Sequence, residues 1–403
     1  MQMQLSRDGW LLFAASGIRA FAYGFLSVIL GLYLDVIGLS TTAIGWIFTA
    51  ALAGGAVMTV IIAAIADSFG RKNLLIAGAI LMALAGWVFA LSSDPIILSL
   101  AAIFGTISPS GKEVGPFLSI EQAILPQTTA DQNRTMVFSV YNIVGSGAGA
   151  LGALAVGLPQ RFSATAVSGY RFLVWGYIAC ALVMMILFFF LSRSIEAPEK
   201  TGSAKRKMGV QRSRGMVAKL AGLFALDAFA GGFIVQSLMA YWFYLRYGTD
   251  LNVLSGIFFG INILSAVSFL AAPAIARRIG LLNTMVFTHL PSNIMILLVP
   301  LMPNLELTVV MLLARNLLSQ LDVPTRQSYT MAIVEPAERA AAAGILSVSR
   351  NTGAALAPLF TGAILAHPVF GWPFLLAGGL KVLYDLLIYA VFRKVKPPEE
   401  EQS

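Results

Sequence analysis

The hydrophobic positions of this chain fall into twelve long apolar runs that are separated by short polar joints. Each run is about 20 residues or longer, the length at which a helix crosses a bilayer with every backbone amide bonded within the segment. The ten-residue alternation of an outer-membrane barrel does not occur. We therefore predict an all-α integral membrane protein. The predicted transmembrane helices cover residues 10–37, 42–65, 73–93, 95–126, 136–159, 170–192, 216–245, 252–276, 282–302, 306–334, 340–366 and 371–392.

The composition supports this prediction. Of the 403 residues, 58% are hydrophobic and only 11% are charged, whereas a soluble domain carries roughly 25% charged residues. The first apolar run is too long for the core of a secretory signal and contains Arg19, so we expect no signal peptide. The single cysteine, Cys180, can form no internal disulfide.

The net charge of +8 raises the alternative of a nucleic-acid-binding protein. The distribution of the basic residues argues for a membrane orientation instead, because basic joints stay on the cytoplasmic side. With both termini inside, the cytoplasmic joints hold Arg71, Lys72, Arg134, Arg277, Arg278, Arg339 and Arg393, and residues 193–214 add seven more. The opposite side holds Arg161, Arg171 and Arg246. We expect a multi-pass protein of the plasma (inner) membrane, with lipid and not nucleic acid as its partner.

The second half of the sequence repeats the first. RAFAYGF from Arg19 corresponds to DAFAGGF from Asp227, and matches in helices 2, 4 and 5 share offsets of about 208 to 210 residues. A repeat of this kind predicts two six-helix bundles related by pseudo-symmetry. We predict bundles over residues 1–192 and 216–393, a basic cytoplasmic linker over 193–215, and a tail over 394–403.

The joint between helices 2 and 3 reads ADSFGRKNLL from Ala66. It is similar to the loop signature G-x-L-A-D-R-x-G-R-K-x-x-L of the major facilitator superfamily. The matching positions are Asp67, Gly70, Arg71, Lys72 and Leu75, while Ala63, Ile65 and Ser68 depart from the signature. With the twelve spans and the repeat, the resemblance covers the whole chain. It implies a monomeric secondary transporter in which the two bundles rock around a central cavity.

The resemblance also implies a role for the joint. In such families this loop is thought to latch one conformation, so Asp67, Gly70, Arg71 and Lys72 are candidates for a conformational latch. The alternative is a topological anchor on the cytoplasmic side. Gly70 permits a tight turn with positive φ.

Arg19 and Asp227 occupy equivalent positions in helices 1 and 7, which in this superfamily face each other across the cavity. An arginine keeps its proton and must be paired or bind an anion, whereas an aspartate can be neutralised. One interpretation is a cavity pair that opens when substrate or a proton arrives. The other is a permanent bridge between the halves.

Helix 4 contains Pro109, Gly111, Gly115 and Pro116 at mid-membrane, and helix 10 contains Pro324 at the equivalent position. Interrupted helices at matching positions indicate a transport site. Glu113 and Asp322 are repeat partners beside these breaks and are candidate proton carriers. Arg326 follows Asp322 by four residues, and Asp385 follows Lys381 by four. Both pairs fit intrahelical bridges, and for Lys381 and Asp385 we predict that bridge.

Other intramembrane residues complete the candidate set. Arg350 could meet Asp67 or Glu121, and His289 fits either a satisfied interior histidine or a proton relay. The further candidates for substrate or proton coupling are Glu121, Arg315 and Arg350, and the candidate cavity-lining aromatics are Phe21, Tyr23, Phe229 and Phe233.

Glycines in helix 5 (Gly145, Gly147, Gly149 and Gly152) predict close helix packing. The drug:proton antiporter branch of the superfamily has a Gly-Pro step in this helix, and none occurs here. That branch remains possible, with weaker support for efflux specificity.

The motifs leave one main function class. No phosphate-binding loop of the G-x-x-x-x-G-K-[ST] type and no metal-ligand cluster occurs in the sequence, so we expect no metal, no cofactor and no enzyme activity. We expect export of a small organic solute by proton antiport, with the proton gradient as the energy source. Proton-coupled uptake of an organic anion is the alternative, and a lipid scramblase or intramembrane enzyme is the rival from another class.

Overall fold

The computed structural model describes residues 5–111, 116–129, 134–161, 165–196, 210–335, 338–365, 371–395 and 397. Within these ranges the regular structure is helical. The α-helices are α1 (Arg7–Val36), α2 (Thr41–Phe69), α3 (Arg71–Leu91), α4 (Pro95–Phe104), α5 (Pro116–Ile124), α6 (Arg134–Ala155), α7 (Ala166–Phe189), α8 (Arg214–Gly232), α9 (Gln236–Tyr247), α10 (Leu251–Ile279), α11 (Leu281–Leu298), α12 (Leu305–Ser319), α13 (Asp322–Ile333), α14 (Arg339–Ile364) and α15 (Trp372–Phe392). Each predicted apolar run coincides with one of these helices or with two consecutive ones, which confirms the predicted fold class.

The described helices include eight spans that are long and apolar enough to cross a membrane. These spans are Arg7–Val36, Thr41–Ile62, Arg71–Leu91, Val167–Phe189, Arg214–Tyr247, Leu251–Ser268, Leu281–Leu301 and Trp372–Phe392. Their outward faces carry many exposed large apolar side chains, as expected where lipid rather than water is the solvent. The chain is a multi-pass membrane protein.

Local sequence signals set the helix ends. The Ser40 hydroxyl accepts a hydrogen bond from the Ala43 amide at the start of α2. Asp94 accepts bonds from the first amides of α4, where Pro95 occupies the first helical position, a position that proline favours. Gly70 and Gly280 have φ of 84° and 89° and form the turns before α3 and α11. The predicted positive φ at Gly70 is thus confirmed.

The fourth apolar run is interrupted between α4 and α5, as its proline and glycine residues predict. Thr106 has φ of 55° and Gly111 has φ of 66°, both outside the helical region. Pro116 then begins α5. Residues 112–115 lie outside the described residues, so the candidate Glu113 does as well.

The tenth run is also interrupted, at Gln320 and Leu321 between α12 and α13. Pro324 lies in the first turn of α13, where its missing amide proton costs no helical hydrogen bond. Equivalent helices of the two repeats are therefore broken at similar positions. The seventh run, predicted as one helix, also divides between α8 and α9, directly after Gly231 and Gly232. Glycine weakens a helix because it loses more backbone freedom on folding.

The chain forms two compact units. The first comprises the described part of Met1–Thr201 together with Val235–Asn262, and the second comprises the described part of Gly202–Ile234 together with Ile263–Ser403. The predicted bundle boundaries, 1–192 and 216–393, remain a prediction. Of the predicted linker, residues 197–209 lie outside the described residues.

In the first unit, α1 is the central helix and packs against α6, α7 and α9. It is buried along almost its whole length. Hydrogen bonds hold α9 against it: the Tyr241 hydroxyl donates to Asp35 Oδ1 at 2.7 Å, and the Ser237 hydroxyl donates to the Ser27 carbonyl at 2.7 Å. Polar contacts thus supplement packing inside this unit.

In the second unit, α8 packs against α14 and α15, and α11 packs against α12, α13 and α15. Side chains from α8, α11, α13, α14 and α15 form one apolar core. The ionisable side chains that these helices carry at membrane depth are described below.

Glycines let backbones approach closely in both units, which confirms the prediction for Gly152. The prediction is wrong for Gly145 and Gly147, where a Cβ would meet no described atom within 4 Å. A Cβ on Gly24 of α1 would collide with the backbone of α6, and one on Gly152 of α6 would collide with the backbone of α1. In the second unit Gly232 of α8 and Gly353 of α14 contact each other's helices in the same way. Gly24 and Gly232 are equivalent positions of the repeat. Close packing is therefore a repeated feature of the fold.

Candidate functional site

A cluster of buried charges in the second unit is centred on Asp227 of α8. Its carboxylate contacts Lys381 Nζ at 2.5 Å, Arg326 Nη1 at 3.2 Å and Arg350 Nη1 at 3.3 Å. The three cations come from α15, α13 and α14. Through these contacts Asp227 joins four helices. The contacts are charge-assisted, which makes them stronger than hydrogen bonds between neutral groups.

Asp322 and Arg326 extend the cluster along α13. Arg326 Nη1 donates to Asp322 Oδ2 at 2.8 Å, the i, i+4 bridge that the sequence allows. The same guanidinium also contacts Asp227 and lies over the Phe224 ring at 5.4 Å. Arg326 therefore joins both acids and is more than an intrahelical partner.

The predicted bridge between Lys381 and Asp385 is wrong. Lys381 contacts Asp227, while Asp385 contacts His289 Nδ1 at 2.8 Å and accepts a bond from Asn293 Nδ2 at 2.8 Å. Lys381 and Asp385 each bond to a side chain of another helix and not to one another. A lysine side chain is long enough to reach a neighbouring helix, so an i, i+4 spacing alone does not decide its partner.

Arg315 of α12 and Arg350 of α14 add positive charge. Arg350 contacts Asp227, and its side chain is 34% exposed. Its predicted contact with Asp67 or Glu121 stays a prediction. Arg315 donates from Nη1 to Asn316 Oδ1 at 3.2 Å, and its buried Nε has no partner among the described residues. Its charge interacts with Asp322 and Asp227. Apart from His289, the described cluster thus holds three acids and four cations: Asp227, Asp322 and Asp385, with Arg315, Arg326, Arg350 and Lys381.

The first unit contains a second buried ion pair. Arg19 of α1 donates to both carboxylate oxygens of Glu121 in α5, at 2.8 and 2.7 Å, and both side chains are fully buried. Tyr141 of α6 donates to Glu121, and the Arg19 guanidinium lies 4.8 Å from the centre of the Phe117 ring. Two parallel bonds give this pair the fork geometry that arginine favours.

The candidate pair Arg19 and Asp227 therefore has partners within each unit: Glu121 and Tyr141 for Arg19, and three cations for Asp227. Their membership of one central cavity stays a prediction. Arg19 on α1 and Asp227 on α8 are equivalent positions of the repeat, and their side chains carry opposite charges.

The candidate cavity-lining aromatics differ in exposure. Tyr23 and Phe233 are buried, while Phe21 and Phe229 are half-buried. Phe229 and Phe233 form an edge-to-face pair with ring centroids 5.0 Å apart. Their role as cavity lining stays a prediction.

The candidate latch loop contacts the end of its own unit. The amides of Arg71 and Lys72 donate to Glu196 at 2.6 and 3.2 Å. Lys72 Nζ donates to the Leu191 carbonyl at 2.7 Å. Glu196 therefore caps the start of α3, where a carboxylate is favoured. The Asp67 side chain lies outside the described side chains, and the latch stays a prediction.

A similar carboxylate cap closes the start of the second unit. Glu338 accepts hydrogen bonds from the amides of Gln211, Arg212 and Ser213 at 2.7, 2.8 and 2.9 Å. These backbone bonds favour the charged carboxylate and lower the pKa of Glu338 to about 2. The joint between α13 and α14 is thus hydrogen-bonded to the segment before α8.

Sequence reasoning missed Tyr141 and Asn293 as members of these clusters. Asn293 lies one turn after His289 in the same helix, so a shared polar face was the available signal. Tyr141 gave no such signal, since tyrosine is common in membrane helices. Within the described ranges, no group of three or more metal-ligating side chains is found.

Comparisons with known proteins agree with this architecture. The uncharacterized membrane protein YJR124C of Saccharomyces cerevisiae is 28% identical, with 98% of this chain and 96% of that protein covered. The arabinose-proton symporter of Bacillus subtilis is 26% identical over 44% of this chain and 39% of that protein.

Two solved structures show the same fold. The nucleoside transporter NupG has a TM-score of 0.75 at 16% identity, with 96% of this chain and 100% of that chain covered. The D-xylose-proton symporter has a TM-score of 0.73 at 14% identity, with 94% and 97% covered. The sequence model of the Major Facilitator Superfamily matches residues 12–319 and 316–403. Because that match extends over almost the whole chain, this protein belongs to the Major Facilitator Superfamily.

Proposed function

We propose that the protein is a secondary active transporter that exports a small organic solute by alternating access, coupled to a proton gradient. The observation that carries the proposal is the buried cluster around Asp227. Ionisable side chains at membrane depth cost at least ~2.5–3.5 kcal/mol each on insertion scales and are functional candidates by default. The cluster lies on helices of which α12 and α13 are the two parts of an interrupted span. Interrupted helices at equivalent repeat positions are typical of transport sites.

The function class is transport and not enzymatic catalysis. The superfamily to which the chain belongs consists of transporters, and the solved structures with the same fold are named as transporters. A multi-pass chain of this kind binds a small-molecule substrate within the membrane.

Proton coupling is supported by the acids of the cluster and by the names of two similar proteins, which are proton symporters. Asp227 and Asp322 are the described carboxylates in question, and Glu113 is a third candidate outside the described residues. A titratable side chain that gains or loses a proton changes its bonds to the charged groups around it, and it can thereby link proton binding to movement of the helices.

Uptake of an organic anion by proton symport is the second candidate. It is favoured by the charge of the cluster, because Arg315, Arg326, Arg350 and Lys381 outnumber the three acids. The half-buried guanidinium of Arg350 and the unpaired Nε of Arg315 are suited to a carboxylate or phosphate group of the solute. The names of the symporters given above also favour uptake.

Flux through purified protein in liposomes tests both candidates. A thermal-shift screen of organic anions, cations and neutral drugs first selects the solutes that raise the unfolding temperature. Their radiolabelled forms are then offered to proteoliposomes with an imposed pH gradient. Export by antiport predicts accumulation in vesicles with an acidic interior, and symport predicts accumulation in vesicles with an acidic exterior. Flux that ignores the gradient contradicts proton coupling, and lipid flipping without solute flux contradicts transport altogether.

Variants locate the carrier. Asp227→Asn, Glu113→Gln and Asp322→Asn remove one candidate charge each, and Glu306→Gln, at the exposed start of α12, is the matched control. Loss of gradient dependence in one variant, with facilitated flux retained, identifies the carboxylate that carries the proton. Unchanged coupling in all three would exclude the carboxylates as carriers.

A further inference from the structure

His289 is a buried histidine in the middle of α11 that is bonded to an acid on another helix. Its Nδ1 lies 2.8 Å from Asp385 Oδ1 on α15, and the two side chains are 4% and 1% exposed. Asn293, one turn later on α11, donates from Nδ2 to Asp385 Oδ2 at 2.8 Å. Both carboxylate oxygens are thereby engaged, so the position of the carboxylate relative to the ring is fixed.

The hydrogen bond between His289 and Asp385 indicates which ring nitrogen holds the lone pair. Nδ1 also lies 3.0 Å from Asn293 Nδ2, whose hydrogen is donated to Asp385 Oδ2. A carboxylate oxygen only accepts, so the 2.8 Å contact with Asp385 Oδ1 assigns the hydrogen of the neutral ring to Nδ1. Nε2 then holds a lone pair. A proton from the aqueous phase can bind Nε2 without breaking the bond between His289 and Asp385, and it leaves by the reverse step.

Histidine differs from the other ionisable side chains of the described cluster. The arginines keep their protons at any physiological pH. Asp227 and Asp322 each contact cations, so a proton on either acid would remove charge-assisted bonds and leave positive charge unbalanced. A histidine side chain is able to gain and lose a proton under physiological conditions, and the bond of His289 to Asp385 persists in both states.

The surroundings of His289 are charged on several sides. The helices packed against α11 are α12, α13 and α15. Their charged and titratable side chains are Glu306, Arg315, Asp322, Arg326, Tyr329, Lys381, Tyr384, Asp385 and Tyr389. Asp227 of α8 is also close enough to His289 for their charges to interact. The ring therefore lies within the electrostatic range of the central acid of the cluster.

The geometry points to His289 as the residue that binds the transported proton, with Asp385 as the positioning residue that holds its ring. The inference rests on the proposed function and assigns its proton site. A proton on Nε2 adds a positive charge that interacts with Asp227. This charge competes with Lys381 and Arg350 for the Asp227 carboxylate. Arg350, whose contact is the longest of the three at 3.3 Å, is then the cation most readily displaced from Asp227.

Nitrogen NMR of the whole protein in lipid vesicles tests the assignment without any solute. The sequence contains two histidines, His289 and His367, so His367→Gln leaves one set of ring signals in protein with ¹⁵N-labelled histidine. Spectra are recorded between pH 8 and pH 5, and Nε2 of His289 is expected to gain a proton on acidification. Signals that stay constant over this range would overturn the proposal.

A second measurement separates positioning from packing. Asp385→Asn removes the negative partner of the protonated ring, so the midpoint of ring protonation is expected at lower pH than in the wild-type protein. Glu306→Gln, an acid at the exposed start of α12, should leave the midpoint unchanged. An unchanged midpoint in Asp385→Asn would exclude the positioning role, and the wild-type titration decides the proton site even if that variant does not fold.

Flux distinguishes this inference from the proposed function. In proteoliposomes His289→Gln is expected to keep solute counterflow and to lose the dependence of net flux on the pH gradient. Full retention of that dependence overturns the inference while leaving the transport function in place. Absence of solute movement in the wild-type protein contradicts the proposed function, and the NMR titration is read independently of it.

Discussion

Neutralising Asp227 is expected to lower the free energy of unfolding substantially. A second substitution that removes Lys381 is expected to restore part of that loss. Asp227→Asn keeps the shape of the side chain and leaves Lys381, Arg326 and Arg350 without their shared acid. The closest contact is 2.5 Å, to Lys381, and both side chains are less than 10% exposed.

The magnitude follows from these contacts. At an effective dielectric constant of 20, two charges 2.5 Å apart attract by about 6–7 kcal/mol before the cost of desolvation. Measured losses on breaking a buried pair are about 3–5 kcal/mol, because one charge is left uncompensated. Arg350 is 34% exposed, so solvent screens its contribution, and Arg326 retains Asp322. We expect a loss of about 3–5 kcal/mol in the free energy of unfolding for Asp227→Asn.

A double-mutant cycle tests the charge argument. Lys381→Met removes the cation that Asp227→Asn leaves unpaired, so the double variant is expected to recover about 2 kcal/mol relative to Asp227→Asn alone. Unfolding by SDS in mixed micelles, followed by tryptophan fluorescence, gives the free energies. Glu306→Gln is the exposed-acid control and is expected to change stability by about 0.5 kcal/mol or less. A loss below about 1 kcal/mol for Asp227→Asn, or no recovery in the double variant, would refute the reasoning.

Three further predictions follow from the other contacts. Gly353→Ala forces a methyl group into the backbone of α8 and should destabilise the protein by about 1–3 kcal/mol, whereas Gly344→Ala, which meets open space, should be neutral in the same SDS titration. Glu121→Gln should cost about 3–5 kcal/mol because Arg19 stays buried without its acid; a small loss would mean that another acid balances Arg19. The pKa of Glu338 is lowered from about 4.5 to about 2, so its stabilising effect is complete above pH 4.5 and is lost as the pH falls towards 2. Glu338→Gln should therefore lower the unfolding temperature at pH 6 and lose most of that difference near pH 2.5; a difference that grows on acidification would contradict this.

Hydropathy was sufficient to predict the helices, because a membrane segment must satisfy its own backbone and so must be long, apolar and helical. Proline and glycine correctly indicated the break between α4 and α5. The break between α8 and α9 was not predicted, although Gly231 and Gly232 precede it. Glycine pairs also occur within intact helices, as at Gly54 and Gly55 of α2, so the pair alone does not decide.

Side-chain pairing was harder to predict than the helices. The sequence repeat drew attention to Arg19 and Asp227 as a pair, but it could not supply the partners that each has within its own unit. Glu121 lies 102 residues from Arg19 and Lys381 lies 154 residues from Asp227, so only the packing of helices brings them together. The failed prediction for Asp385 has the same origin, since spacing along one helix cannot exclude a better partner on the next.

The most direct test of the central claim is the proton movement that accompanies solute flux. Proteoliposomes that contain a pH-sensitive dye are given a solute selected by the thermal-shift screen, with no initial pH gradient. Proton-coupled transport predicts a change of internal pH that starts with the solute, is absent in empty liposomes and is lost in His289→Gln. Solute entry at the wild-type rate with no change of internal pH would contradict the claim.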